Sequence, residues 1–272
     1  MSELNGIKKI GLIAGNGRFP LLFAATAKRH GLDVIAIAIK KDTSRLITPI
    51  VNKVYWLGLK DYARMFDIFK SEGIEKVIMA GQVNPKNLFY KDVGDEALKK
   101  LLAAIQDKRP DTVFGAVAGQ LAQHNIELID STFLLEDLMA KKGVLTCLEP
   151  DARTWEDIRF GFDMAKKIAG LDVGQTLVVK NGAIVAVEAI EGTDAAILRG
   201  GKLAAGGIVV VKVSKPNQDM RFDVPVVGPR TIGRMARVRA KCLAIEAGKT
   251  IVIDKELSVR SAEKNNISIV AL

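Results

Sequence analysis

The chain has 272 residues, of which 49% are apolar, and this is enough to bury a core in one large domain or two of ordinary size. Its 40 lysines and arginines outnumber its 31 aspartates and glutamates, and the net charge of +9 favours an anionic partner: a phosphorylated substrate, an acidic membrane surface or a nucleic acid. Two isolated cysteines and only two histidines argue against a disulfide framework, a zinc ribbon and His-rich metal sites, and they fit a reducing cytoplasm.

The first half of the chain alternates apolar strands with helices, in the rhythm of parallel-sheet units. Strands are predicted at Ile10–Ala14, Val34–Ile39, Val54–Leu57, Lys76–Ala80 and Ile126–Ile129. Helices are predicted at Pro20–His30 and Tyr62–Phe69 and through most of Asp95–His124. This half is therefore expected to form an open, doubly wound α/β sheet.

The pattern breaks between Gly143 and Pro150, so a domain boundary is expected between residues 135 and 152, with domains at 1–140 and 141–272. The second half is predicted to be a mixed α+β domain. Its expected elements are a helix at Trp155–Ala169, a hairpin of Thr176–Lys180 and Ala183–Val187 around Asn181-Gly182, a strand at Ile208–Val213, a helix from Thr231 to Lys241, paired strands near Leu243 and Ile251, and a final helix and strand.

A glycine turn, Gly15-Asn16-Gly17, follows the first strand and opens a helix, where backbone N–H groups can approach a phosphate. The turn departs from the dinucleotide fingerprint because proline stands at its sixth position and the second strand ends in Lys40 rather than an acidic residue. Lys40 could accept the extra phosphate of NADP, so an NADP-dependent oxidoreductase is one alternative function. A tight turn without a ligand is the other interpretation.

A second turn, which contains Gly81 and Asn84, follows the strand Lys76–Ala80. Ligands of open parallel sheets bind beyond the carboxyl ends of the strands, so the two glycine turns could share one cleft. Gly81 permits close approach and Asn84 could offer an amide to a base or sugar. Both residues also suit an ordinary turn.

In the second half, Gly192-Thr193-Asp194 follows a strand and starts a helix. Thr193 is expected to cap that helix, and its free N–H groups would favour an anion. Asp194 suits the positive end of the helix and could hold a cation beside a phosphate. A cap without further function is the alternative.

A polar loop, residues 213–225, separates two β-branched runs and carries many charges. Lys215 and Arg221 suit phosphate oxygens, whereas Asp219 and Asp223 are hard oxygen ligands of the kind that magnesium takes. Loops at strand ends commonly carry the chemistry of α/β proteins. The loop could also be a solvated turn.

Four basic residues are spaced for one helix face: Arg230, Arg234, Arg237 and Lys241. Such a face could rest on anionic headgroups or a phosphate, or simply face water, and a basic non-catalytic binding module is a further alternative function. The 15 aromatic residues do not interleave with these basic residues, so no nucleic-acid partner is expected.

Five segments together resemble one family: Gly11–Gly17, Ala80–Val83, Leu171–Gln175, Val187–Ala195 and Lys215–Pro225. It is the family of UDP-2,3-diacylglucosamine pyrophosphatases of lipid A biosynthesis, in the form unrelated to the calcineurin-like metallophosphoesterases. The resemblance runs nearly end to end, and its two motifs in the second half are more specific than the glycine turn.

The resemblance implies a Rossmann-like N-terminal domain and a distinct C-terminal catalytic α+β domain, with the substrate lodged between them. It implies magnesium-dependent hydrolysis to UMP and 2,3-diacylglucosamine 1-phosphate (lipid X), with Asp223 as the catalytic residue. The expected metal ligands are Asp223 and, from its place beside a phosphate-binding helix start, Asp194. Substrate contacts are expected from Gly15, Asn16, Gly17, Gly81, Asn84, Gly192, Thr193, Asp194, Lys215 and Gln218, with Glu191–Asp194 and Lys215–Gln218 around the diphosphate.

The start of the chain lacks the pattern of a signal peptide, and no apolar run approaches the roughly 20 residues that span a bilayer. We therefore expect a cytoplasmic protein that makes transient peripheral contact with the cytoplasmic face of the inner membrane. Its expected partner is a lipid-linked nucleotide sugar, and a homodimer is left open.

Overall fold

The computed structural model of the chain describes residues 6–83, 95–107 and 109–272. The chain divides into two compact units. Unit 1 comprises Met1–Leu135 together with the short segment Asp219–Asp223, and unit 2 comprises Glu136–Gln218 and Val224–Leu272. The segment Asp219–Asp223 therefore belongs to unit 1, although the residues that precede and follow it in sequence belong to unit 2.

Unit 1 contains a five-stranded parallel sheet with the strand order β3-β2-β1-β4-β5. Its strands are β1 (Lys9–Ala14), β2 (Asp33–Ile39), β3 (Lys53–Leu57), β4 (Lys76–Ala80) and β5 (Glu127–Leu128). Its described helices are α1 (Phe19–Arg29), α2 (Arg64–Ser71), α3 (Glu96–Ala104) and α4 (Pro110–Gln123), with 3-10 turns at Arg45–Ile47 and Leu59–Asp61. The predicted open parallel sheet is confirmed.

The predicted helical stretch Asp95–His124 is divided into two helices, α3 and α4. Asp95 caps α3, since its Oδ1 accepts hydrogen bonds from the backbone of Ala97 (2.9 Å) and Leu98 (3.1 Å). Pro110 starts α4, because proline lacks the N–H that a helix interior needs but is tolerated in the first turn.

Unit 2 contains a mixed six-stranded sheet with the order β6-β13-β11-β9-β7-β8 and a separate parallel pair, β10-β12. The strands are β6 (Gly143–Val144), β7 (Thr176–Lys180), β8 (Ala183–Val187), β9 (Val209–Lys212), β10 (Val226–Val227), β11 (Cys242–Ile245), β12 (Ile251–Val252) and β13 (Ser268–Ala271). The helices are α5 (Ala152–Gly170), α6 (Thr193–Leu203), α7 (Pro229–Arg237) and α8 (Lys255–Lys264), with a 3-10 turn at Glu136–Leu138. The predicted mixed α+β architecture is confirmed.

Apolar side chains cover both faces of the large sheet of unit 2. Successive residues of β7 point to opposite faces, so Val178 packs with α6, α7 and α8 while Val179 packs with α5. Gly161 lets α5 approach the sheet closely, since a Cβ there would lie 2.7 Å from a methyl group of Val211. The result is a three-layer unit with a continuous core on each side of the sheet.

The predicted hairpin of β7 and β8 is confirmed, with Asn181 and Gly182 at φ 52° and 74°. Positive φ at both turn positions is what a two-residue turn of this type requires. The Asp157 carboxylate accepts hydrogen bonds from the backbone of Asn181 (2.9 Å) and Gly182 (2.6 Å). A side chain of α5 therefore fixes the turn.

Two predictions for the last third of the chain are wrong. The strands near Leu243 and Ile251 do not pair with each other, because β11 lies between β9 and β13 while β12 pairs with β10. The helix predicted to reach Lys241 ends at Arg237, since Arg239 adopts a left-handed conformation (φ 53°) and the Lys241 N–H donates to Ile208 O (2.8 Å).

Candidate active site

The two glycine turns of unit 1, which the sequence suggested could share one cleft, contact each other through their backbones. The Gly15 N–H donates to Ala80 O (2.8 Å), and Asn16 and Gln82 exchange backbone hydrogen bonds of 2.7 and 3.1 Å. A Cβ on Gly15 would lie 2.6 Å from Gln82 O, and a Cβ on Gly81 would overlap Asn16 O. Both glycines are thus required by the close approach of the two turns, whether or not a phosphate binds there.

Helix α1 begins at Phe19, with Arg18 as its N-cap, and Gly17 before the cap has a φ of 101°. No side-chain hydrogen bond caps its start at Arg18, and Pro20 in the first turn has no N–H to donate. The start of α1 therefore lacks one backbone donor, at Pro20, while no side-chain cap occupies the others, and its expected substrate contact stays a prediction. Asn84 lies outside the described residues.

An apolar cavity of about 110 Å³ lies in unit 1, at the carboxyl end of its sheet. Its walls include Ile13, Leu57, Met79, Leu98 and Val117. The hydroxyl of a further wall residue, Tyr62, is engaged outside the apolar space, since it lies 2.6 Å from Gln120 Oε1.

A smaller pocket continues from this cavity. It shares the side chains of Ile13, Met79 and Phe114 with the cavity and adds Gly81 and Phe222 to the lining. The apolar space thus leads from the core of unit 1 to the glycine turns and to the segment that carries Asp223.

The segment Asp219–Asp223 forms a compact turn. The Asp223 N–H donates to Asp219 O (3.2 Å), and the Asp219 carboxylate lies 2.7 Å from the Arg221 guanidinium. The hydrogen bonds from Arg221 hold the pKa of Asp219 below its ordinary value. Asp219 and Arg221 thus neutralise each other, and Asp223 is the acidic residue of this turn outside that ion pair.

In unit 2, the predicted capping role of Thr193 is wrong. The residue at the N-cap of α6 is Gly192 (φ 82°), and Thr193 is the first residue of the helix. The Thr193 hydroxyl donates to Glu188 Oε1 (2.8 Å) and accepts from Lys212 Nζ (2.8 Å). A largely buried lysine and glutamate therefore engage the side chain that was expected to cap the helix.

Asp194, in the first turn of α6, faces two arginines. Its Oδ2 lies 2.6 Å from Arg230 Nε and 3.5 Å from Arg234 Nε. The predicted basic face is wrong only in including Lys241, which lies beyond the helix and 3.7 Å from Asp151. Arg230, Arg234 and Arg237 all lie in α7, and two of them are paired with Asp194.

The first part of the polar loop is a tight turn that brings Lys215 and Gln218 together. The Lys215 N–H donates to Gln218 Oε1 (2.8 Å), and the Gln218 N–H donates to Lys215 O (3.2 Å). Lys215 Nζ lies 2.6 Å from Asp172 Oδ1, and both side chains are largely buried. Asp172 thus orients the lysine that is expected at the diphosphate.

The base of this loop is anchored by a second charged network. The Glu246 carboxylate accepts from the Ser214 N–H and hydroxyl, both at 2.8 Å, and from the Lys166 ammonium at 3.0 Å. Lys166 also donates to Ser214 O (2.9 Å). The residue before Lys215 is therefore held by both its backbone and its side chain.

Sequence reasoning overlooked the charged residues of these networks, and three of them illustrate why. Asp172 stands in one of the resembling segments but received no role, although a single acidic residue there was a usable signal. Lys212 follows a run of valines and Glu188 ends a strand, so both looked like ordinary strand residues. These three side chains form ion pairs that are largely buried. Burial depends on tertiary packing, which the local sequence does not reveal.

Comparison with known proteins places both halves of the chain in one family. The LpxI N-terminal domain family matches residues 9–138, and the LpxI C-terminal domain family matches residues 141–270. The UDP-2,3-diacylglucosamine pyrophosphatase LpxI of Caulobacter vibrioides is 29% identical over 270 residues, which cover 94% of this chain and 95% of that protein.

Two solved structures are distant likenesses of this chain. UDP-glucose-4-epimerase of Stenotrophomonas maltophila has a TM-score of 0.29 and 13% identity, over 44% of this chain and 34% of that one. Biotin carboxylase of Campylobacter jejuni has a TM-score of 0.31 and 14% identity, over 74% of this chain and 43% of that one. Neither likeness bears on function. The two LpxI domain matches together span nearly the whole sequence. The chain therefore belongs to the LpxI family.

Proposed function

We propose that this protein hydrolyses the diphosphate of UDP-2,3-diacylglucosamine to UMP and 2,3-diacylglucosamine 1-phosphate in lipid A biosynthesis. The observation that carries the proposal is the match of both LpxI domain families, together with a relative named for this activity that aligns over 94% of the chain. The apolar cavity of unit 1 supports it, since an acylated substrate needs apolar space next to its polar headgroup.

Asp223 is the proposed catalytic residue. Diphosphate hydrolysis needs a water molecule aligned with a phosphorus atom, and a carboxylate can orient that water and accept its proton. Asp219, the other acidic residue of the turn, forms an ion pair with Arg221.

Lys215 is proposed to neutralise negative charge on the diphosphate oxygens during the reaction. A fixed ammonium stabilises developing charge better than a mobile one, because no reorganisation is needed when the reaction occurs. The contact with Asp172 at 2.6 Å supplies that fixation. The backbone N–H groups at the start of α6, after Gly192, are proposed to assist.

Magnesium is the proposed metal. Among residues 6–83, 95–107 and 109–272, no three acidic, histidine or cysteine side chains cluster as a metal site. Proteins commonly bind magnesium through one or two carboxylates plus substrate phosphates, and Asp223 fits that donor set. Asp194 fits less well, since two guanidinium groups compete for its carboxylate. When bound, magnesium would neutralise charge on the phosphate oxygens.

The other functions suggested by the sequence gain no support from the structure. Lys40, which an NADP phosphate would need, lies 3.9 Å from the carboxylate of Asp61. Arg230 and Arg234, which a basic binding module would need, are paired with Asp194.

Transient contact with an anionic membrane from the cytoplasmic side is also proposed, on the basis of the net charge of +9. Among the helices of the described residues, none is long and apolar enough to cross a membrane. Sedimentation with vesicles of phosphatidylglycerol and phosphatidylethanolamine tests the contact. Binding should weaken as salt rises, and equal binding to uncharged phosphatidylcholine vesicles would contradict it.

The proposed roles are tested by measuring UMP release from UDP-2,3-diacylglucosamine in the presence of magnesium. Asp223→Ala should lower the rate by at least a thousandfold, whereas the matched control Asp219→Ala, which only loosens the same turn, should lower it by no more than about a hundredfold. Asp223→Ala with wild-type turnover would refute the role of Asp223. Loss of the whole activity in both variants alike would indicate a structural effect of the turn.

A further inference from the structure

Within unit 1, Ser131 connects the segment Asp219–Asp223 to the end of β4. Its side chain is fully buried, and its Oγ lies 2.6 Å from Met79 O, near the end of β4, and 2.5 Å from Arg221 O. The Ser131 N–H also donates to Met220 O (2.9 Å). One residue thus contacts two consecutive carbonyl groups of the segment and the sheet at the same time.

Arg221, whose carbonyl group Ser131 contacts, lies two residues before Asp223, the proposed catalytic residue. The segment is closed on itself by the Asp219 carboxylate, which binds both the backbone N–H (3.0 Å) and the guanidinium of Arg221. Phe222 packs on Phe114, with ring centroids 5.8 Å apart. A rigid turn held at Met220 and Arg221 leaves Asp223 little freedom to move relative to the sheet.

We infer that Ser131 is a positioning residue that sets the place of Asp223 through the carbonyl group of Arg221. The inference rests on the proposed function, in which Asp223 performs the chemistry. A displacement of about 1 Å in a reacting group can cost about a hundredfold in rate, so the loss of one anchoring hydroxyl is enough to slow the reaction.

The test is the kinetics of UMP release by Ser131→Ala. This variant keeps the backbone hydrogen bond to Met220 and the contact of Phe222 with Phe114, so the segment should stay docked but less firmly held. We expect kcat to fall at least tenfold while KM changes less than twofold, because substrate contacts remain and only the placement of the carboxylate changes.

The matched control is Ser258→Ala in α8. Ser258 is equally buried and its hydroxyl donates to one backbone carbonyl, that of Ile253 (2.8 Å), in unit 2. Both variants should lower the melting temperature by similar amounts, whereas only Ser131→Ala should lower kcat. Ser131→Cys, which keeps a weak donor of similar size, should fall between wild type and Ser131→Ala.

The outcomes separate this inference from the proposed function. If the wild-type protein releases no UMP, or Asp223→Ala turns over normally, the proposed function or the role of Asp223 fails. If both hold and Ser131→Ala and Ser131→Cys keep the kcat of Ser258→Ala, the positioning role is overturned. A fall in kcat that Ser258→Ala shares equally would also overturn it.

Discussion

Lys212 sits in a polar cluster inside unit 2, and replacing it with methionine tests how that cluster stabilises the start of α6. The side chains of Lys212 and Glu188 are only 10% and 12% exposed, and the Thr193 hydroxyl bridges them through two hydrogen bonds of 2.8 Å. Glu188 Oε2 already lacks a hydrogen-bond partner. Lys212→Met would therefore leave a mostly buried carboxylate without its nearby positive charge.

Removing one partner of a buried ion pair typically costs about 3–5 kcal/mol. The direct separation of Lys212 Nζ and Glu188 Oε2 is 3.9 Å, with Thr193 between them, so we expect the lower end of the range, about 3 kcal/mol. Adding Glu188→Gln removes the buried charge while keeping a group that can accept from Thr193, and this double variant should recover at least half of the loss.

Each unit contains one of the two tryptophans, Trp56 in unit 1 and Trp155 in unit 2. Urea denaturation in a Trp56→Phe background, followed by the fluorescence of Trp155, therefore reports on unit 2. Arg199→Met is the control, since Arg199 and its partner Glu191 are 47% and 33% exposed and their pair should contribute less than about 1 kcal/mol. A cost for Lys212→Met no larger than the cost for Arg199→Met would refute the reasoning.

Two further predictions concern unit 1. Arg221 lowers the folded-state pKa of Asp219, so the stabilisation by this pair is present above the unfolded pKa of about 4 and is lost as pH falls through the folded pKa. Asp219→Asn should thus be less stable than wild type at pH 6, by no more than about 1 kcal/mol in urea titrations, and this difference should shrink as pH is lowered below about 4; a gap that widens on acidification would contradict this. Val117→Phe should fill the apolar cavity and raise KM for UDP-2,3-diacylglucosamine at least fivefold, and an unchanged KM would show that the acyl chains lie elsewhere.

Local patterns were sufficient to predict most of the fold. Continuous apolar runs such as Val34–Ile39 correctly predict the buried strands of the parallel sheet. Asn181-Gly182 correctly predicts a hairpin, because a two-residue turn of this type needs positive φ angles at both positions. The end of α7 was misjudged since it depends on the left-handed conformation of Arg239, for which the sequence gives no local signal.

The candidate site was less predictable because its geometry depends on residues distant in sequence. The sequence around Asp223 carries no signal that Ser131, about 90 residues earlier, contacts the carbonyl group of Arg221. The hydroxyl of Thr193 suits a helix cap by composition, but Lys212 and Glu188 compete for it. The resemblance to a family identified the motifs. The contacts of Ser131, Lys212 and Glu188 became visible only in the three-dimensional structure.

The most direct test of the central claim incubates the purified protein and magnesium with UDP-2,3-diacylglucosamine, or with UDP-N-acetylglucosamine, which lacks the two long acyl chains. UMP is measured by mass spectrometry. We expect UMP and 2,3-diacylglucosamine 1-phosphate in equal amounts from the diacylated substrate, at a rate at least a hundredfold above that from UDP-N-acetylglucosamine. Absence of UMP, or equal release from both compounds, would contradict it.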